Sequence, residues 1–227
     1  MAMTLHFSRS FFRAVGLCSV LSATTTLLLI FMPQLYETPS TFEEQVTLHT
    51  DSFYMARLWV YFVHPLLVLT AAWGVAAKKL DTAAGAASTG FIFFAMWGFA
   101  EALQQALSLV ALNFTWRASY AKSMDEALRE MLHTQIVGFN GIWDALFFLL
   151  LTGFMLGNLL YGIALWKGVG LEKVLSGLFF FIAAFTLVNL ISNYGGPVLL
   201  SGALGWIYPV IQPIARVLIG IWLWRGV

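Results

Sequence analysis

The chain has 227 residues, 60% of them hydrophobic and 10% charged, with a formal net charge of +1. A soluble domain carries roughly a quarter charged residues, so this composition, with a mean hydropathy of +0.82, excludes an ordinary soluble domain. The balanced charge gives no electrostatic ground for a nucleic-acid partner, and the one cysteine, Cys18, excludes an internal disulfide.

Backbone amides must be paired in hydrocarbon, so long apolar runs become helices, and about 20 residues cross a bilayer core. Six runs qualify in chain order: 13–33, 56–77, 87–112, 137–164, 174–194 and 205–224. The first follows Arg9 and Arg13. Its apolar core is too long for a signal peptide and no small-residue cleavage site follows, so it reads as a retained span. Loop 34–55 has no Lys or Arg but carries Glu37, Glu43, Glu44 and Asp51. The second span holds His64-Pro65, where proline removes a ladder hydrogen bond. Lys78 and Lys79 mark the next loop. Loop 113–136 contains SMDEALREML, in which Ser123 and Glu126 have capping-box spacing and Asp125 and Arg129 form an i,i+4 pair. A short extracytoplasmic helix is expected at 123–133, lying on the bundle or running into span four. In span four Gly153 and Gly157 form a small-xxx-small motif suited to close helix packing, within the chain or between copies. Lys167 and Lys173 follow, then span five. Span six holds Pro209 and Pro213, and Arg225 closes the chain.

Counting Lys and Arg sets the sides. Seven fall at the N-terminus, the second and fourth loops and the tail, against Arg117, Lys122 and Arg129 opposite. The expectation is an all-α polytopic membrane protein, a single domain over 1–227 built as a six-transmembrane-helix bundle, with both termini cytoplasmic (N-in/C-in). Tyr54, Trp59, Trp206 and Tyr208 fit an outer aromatic belt, and Tyr161, Trp166, Trp222 and Trp224 an inner one.

The polar residues inside these spans fall on narrow stripes. At 1.5 Å rise per residue, Glu101 lies roughly 15 Å below the outer surface, His64 roughly 12 Å, Asp144 and Gln212 roughly 10 Å, and Arg216 roughly 16 Å. Asn189 and Asn140 are shallower. Residues three or four apart share a helix face, which groups Glu101 with Gln104 and Gln105, and Asn140 with Asp144. A charge facing lipid costs about 2.5–3.5 kcal/mol or more, so the stripes should turn inward to a common layer in the outer half of the membrane. Glu101 is then expected to face Arg216, Asp144 or His64.

Three functions fit such a layer. It can bind or transfer a small polar or amphipathic ligand through His64, Glu101, Gln104, Gln105, Asn140, Asp144, Asn189, Gln212 and Arg216. It can fix helix pairing in a structural or accessory subunit, with Glu101 and Asp144 balancing Arg216 and Arg57. Or His64, Glu101 and Asp144 can hold iron, manganese or zinc for a membrane enzyme. Haem lacks a second axial ligand at the depth of His64, and no P-loop, GxSxG, HExxH or GxGxxG motif is present. These residues name no cofactor. The expected partners are membrane lipids and a small-molecule ligand.

The segments ARLWVYFVHPLLVLTAAWGVA, HTQIVGFNGIWDALFFLLLTGFMLGNLLYG and IARVLIGIWLWRGV together resemble a group of bacterial membrane proteins catalogued as domain of unknown function 4386. The shared features are an Arg-led second span, an aromatic-rich fourth span ending in Gly-x-Leu-Leu-Tyr, and a last helix closing on Leu-Trp-x-Gly-Val. Arg216 and Asp144 depart from the pattern. The resemblance implies a bacterial inner-membrane protein of unassigned activity, and it carries over no site residues.

Overall fold

The computed structural model describes residues 7–197 and 204–225, in the latter segment without the side chains at 204–206 and 208. Helices are α1 (Arg9–Phe31), α2 (Phe42–Thr47), α3 (Ser52–Ala106), α4 (Ala118–Lys122), α5 (Glu126–Leu165), α6 (Leu171–Asn193) and α7 (Leu204–Arg225). Among the described residues there is no strand. Among the described residues, four helical stretches are long and apolar enough to cross a membrane: Arg9–Leu35, Ser52–Lys122, Glu126–Leu165 and Leu171–Asn193.

The second stretch holds two of the expected runs. Helix α3 leaves helical geometry at one residue, Ala83 (φ −151, ψ 43), and there it folds back on itself. The ring of His64 lies 6.3 Å from that of Trp97, and a Cβ added to Gly98 would strike Leu69, so the arms 52–82 and 84–106 run side by side. The expected loop between spans two and three is therefore a sharp bend. Pro65 stays inside the first arm, where the backbone remains helical: the break falls at Ala83, not at Pro65.

Local sequence sets the helix starts. Ser8 accepts from the Phe11 amide at 3.2 Å, and Asp51 from that of Tyr54 at 2.8 Å. Asp125, not Ser123, caps α5, accepting from the Ala127 and Leu128 amides. The helix expected at 123–133 runs directly into span four, since α5 continues without interruption from Glu126 to Leu165. Arg129 turns from Asp125 to Tyr120, its guanidinium 4.6 Å from that ring.

The six rods (α1, the two arms of α3, α5, α6 and α7) pack in a ring. Helix α1 lies on α3 and α7, α5 on α3 and α6, and α6 on α7. Val75, Phe94, Trp97, Phe154, Leu175 and Leu223 belong to one continuous core. Tyr161 belongs there too. It is fully buried and donates to the Ala72 carbonyl at 2.7 Å, so it is no belt residue, and Trp222 is likewise buried. Trp59, Trp166 and Trp224 are exposed. Trp206 and Tyr208 lie outside the described side chains. Gly153 and Gly157 sit against Phe93, Phe94 and Trp97 of the second arm. The motif thus serves packing within the chain.

The bundle has two distinct ends. At one, Arg13 stacks on Trp224, Lys78 donates to the Trp222 carbonyl at 2.7 Å, and Lys79 pairs with Glu172 at 3.1 Å. The start of α1, the bend of α3, the start of α6 and the end of α7 therefore share this end. At the far end α2 covers α5 and the segment after α3 through Val46, Leu112, Ile136 and Phe139. Helix α2 is held by a complete capping box, with Thr41 accepting from Glu44 and Glu44 from the Thr41 amide.

Glu44 also accepts from the Ser40 amide at 2.6 Å and its hydroxyl at 2.8 Å. The Ser40 amide, then the Ser40 hydroxyl and the Thr41 amide, hold its carboxyl below the usual carboxylate range. A lowered folded pKa stabilises α2 fully above the ordinary carboxylate pKa, and that stabilisation is lost as pH falls through the folded value. Amide exchange at Thr41 and Glu44 should therefore accelerate on acidification below that range, and Glu44→Gln should flatten the profile. A flat wild-type profile would remove the box as the source of order in α2.

Candidate functional site

At the far end, the two arms of α3 and helix α5 enclose a cavity of about 400 Å³. Glu101, Gln104 and Gln105 enter it from the second arm, Arg57 and Tyr61 from the first, and Asn140 and Trp143 from α5. Spacing explains the second-arm set: positions 101, 104, 105 and 108 share one face of an α-helix. Gln104 donates to the Trp143 carbonyl at 3.0 Å and Ser108 to the Gln104 carbonyl at 2.9 Å.

The helix then changes its winding. Leu107–Arg117 is a π-helix, in which bonds close i→i+5. Asn113 donates to the Ser108 carbonyl at 2.6 Å and Thr115 to the Val110 carbonyl at 2.8 Å, each five residues back. The nine residues from Ser108 to Arg117 make about two and a half α-turns at 3.6 residues per turn. An α-helix would thus point Arg117 away from Ser108, whereas the slower π winding brings both to one cavity. Arg117, read from sequence as a loop residue, is 7% exposed. It donates to Asn113 Oδ1 at 2.9 Å and to Tyr54 Oη at 3.2 Å.

Arg57 donates to Tyr36 Oη at 2.5 Å and Tyr61 Oη at 3.4 Å. The Nε atoms of Arg57 and Arg117 are buried and have no hydrogen-bond partner, and no carboxylate among the described residues lies within 4 Å of either guanidinium. Glu101, 6% exposed, likewise has no ion pair or hydrogen bond among the described residues. The cavity thus holds two guanidiniums and one carboxyl group. Buried donors without acceptors cost about 1–3 kcal/mol each, which makes the cavity receptive to an acceptor from outside.

The other expected site residues lie elsewhere. Gln212 and Arg216 line a separate central cavity of about 40 Å³ with Ser19, Ser22, Asn158 and Tyr161, space for a few waters at most. His64 points at α1, its Nδ1 2.7 Å from Thr25 Oγ1. Asn189 is half-buried and Asp144 is exposed. The buried stripe of α5 runs through Leu132, Ile136, Phe139, Leu151, Phe154 and Tyr161, and Asp144 falls beside it. A single layer of nine residues is therefore corrected to one cavity holding Glu101, Gln104, Gln105 and Asn140, joined by Arg57, Tyr61 and Arg117. The balance of Glu101 and Asp144 against Arg216 and Arg57 is not built either, because Asp144 faces outward. His64, Glu101 and Asp144 do not converge, and no group of described residues is placed to hold a metal ion.

One signal in the sequence could have found Arg57: it shares a helix face with Tyr61. For Arg117 there was none, since π winding has no local residue code. No family model, no curated protein and no solved structure matches the chain.

Proposed function

We propose that this multi-pass membrane protein binds or transfers a small polar or amphipathic ligand in the cavity between α3 and α5. In this reading the rods make six crossings, with each arm of α3 counted as one. Both termini are cytoplasmic and the cavity lies in the outer half of the bilayer. The basic residues support this orientation, since Arg13, Lys78 and Lys79 cluster where α1 starts and α7 ends, as the positive-inside rule requires. A bacterial inner membrane, and kinship with the family of domain of unknown function 4386, belong to the same proposal.

One observation carries the ligand: a cavity of ligand size whose arginines keep buried, unsatisfied donors. A purely structural polar layer would pair its charges internally, which Arg57, Arg117 and Glu101 do not do. The test is mass spectrometry of compounds that remain with the detergent-purified protein. Wild type should retain a discrete compound that Ser108→Phe, which fills the cavity, releases while the thermal melt stays cooperative. Retention of nothing beyond bulk lipid in membrane proportions by both proteins would end this reading.

A further inference from the structure

The cavity holds guanidinium and carboxyl groups at different levels. Tyr54 meets Arg117 nearest the far end. Arg57 follows, then Tyr61, one helical turn further into the bundle, which accepts from Arg57 at 3.4 Å. Deeper still, His64 meets Trp97. The guanidiniums thus stand nearer the far end, and the Glu101 carboxyl, one helical turn from Trp97, stands deeper in the bundle. Neither kind of group is paired with a side chain within ion-pair distance among the described residues. One wall is apolar, formed by Leu58, Phe139, Phe147 and Leu150.

Buried polar groups left without partners by the protein favour a ligand that supplies them. An anion alone would meet the Nε donors of Arg57 and Arg117 and leave the Glu101 carboxyl without a partner, while a cation alone would do the reverse. Resting on the ligand-binding reading above, we infer that the occupant is a zwitterion: a phosphate or carboxylate held at Arg57 and Arg117, joined by a short spacer to an ammonium held at Glu101. The fork of guanidinium donors suits a phosphate or carboxylate, and the apolar wall takes a hydrocarbon portion. The same chemistry exists in a phosphoethanolamine lipid headgroup and in a free ethanolamine phosphate or amino acid.

The full chain, reconstituted in nanodiscs, separates these sources. Native mass spectrometry compares retention from discs of phosphatidylethanolamine and of phosphatidylglycerol with the same acyl chains. Detergent melts compare free ethanolamine phosphate with inorganic phosphate. A lipid source gives about tenfold more ethanolamine-lipid than glycerol-lipid adduct, the size of one charge-assisted hydrogen bond. A free source gives a larger melting shift with ethanolamine phosphate than with phosphate. In either case Glu101→Gln should abolish the preference for the ammonium while keeping binding of the phosphate. Arg117→Gln should weaken both about tenfold, and Arg117→Lys, which keeps the charge and loses the fork, should fall between. Gel filtration and a cooperative melt qualify each variant, and Arg57→Gln replaces Arg117→Gln if the latter does not fold. Wild type without preference in both assays overturns the inference, as does Glu101→Gln with its preference intact. If a copurifying compound is released by Ser108→Phe but not by the charge variants, the zwitterion falls and the ligand site stands. If Ser108→Phe also releases nothing, both fall.

Discussion

Gly153→Val lowers the melting midpoint of the purified protein by about 5–10 °C, the equivalent of about 2–3 kcal/mol. A Cβ at this position would lie 2.8 Å from the Phe93 carbonyl oxygen and 2.9 Å from the Trp97 amide nitrogen. Both are backbone atoms of a packed helix and cannot swing aside as a side-chain tip would. Helix α5 must therefore back away from the second arm of α3, reopening contacts along Phe94, Trp97 and Phe154. The same helix pair carries the Gln104–Trp143 bond, so ligand retention should fall with stability. Gly141→Val, on the same helix with nothing within 4 Å of its Cβ, is the control. Equal melting of the two variants would show that α5 and α3 do not approach as described.

Glu172→Leu costs about 2–4 kcal/mol, more than the double replacement Lys79→Met with Glu172→Leu. Lys79 is 8% exposed, and its ammonium meets Glu172 at 3.1 Å. Removing one partner of a buried pair strands the other charge, at about 3–5 kcal/mol, whereas replacing both by apolar groups is often neutral. The Glu172 side chain is 23% exposed, so water reaching it places the loss in the lower part of that range. The pair joins the bend of α3 to the start of α6 beside a cavity of about 710 Å³. A single variant as stable as the double, by thermal melt at low and high salt, would mean that Lys79 reaches solvent.

The alternation of apolar runs and charged breaks marked every long helix, because hydrocarbon leaves an unpaired backbone no other solution. It misjudged one connection. KKLDTAAGA reads as a loop, yet one non-helical residue at Ala83 suffices to reverse the chain. SMDEALREML reads as a short helix lying on the bundle or running into span four, and it does the latter, as the first turns of α5. Half of the polar set was legible for a similar reason. Glu101, Gln104 and Gln105 share a face by periodicity alone, and that face proved to line a cavity. The depths of His64, Asp144 and Arg216 were also read from periodicity and rise, but depth says nothing about azimuth. Asp144 turned outward and His64 turned to Thr25.

By itself, then, the sequence determined that the chain is a set of apolar rods with basic residues gathered where α1 starts, α3 bends and α7 ends, and with a polar stripe on the second arm of α3. Those properties follow from hydrogen bonding within one segment and from charge, both local quantities. Only the tertiary structure decided which stripes meet, that Gly153 and Gly157 face inward, and that Arg117 joins Glu101 in one cavity. Rotation of a helix about its axis is set by what packs against it, and Arg117, carried round by a π winding that Ser108 and Asn113 hold within the segment, is fixed in the cavity by Tyr54 of the first arm, a contact that exists only once the arms have folded together.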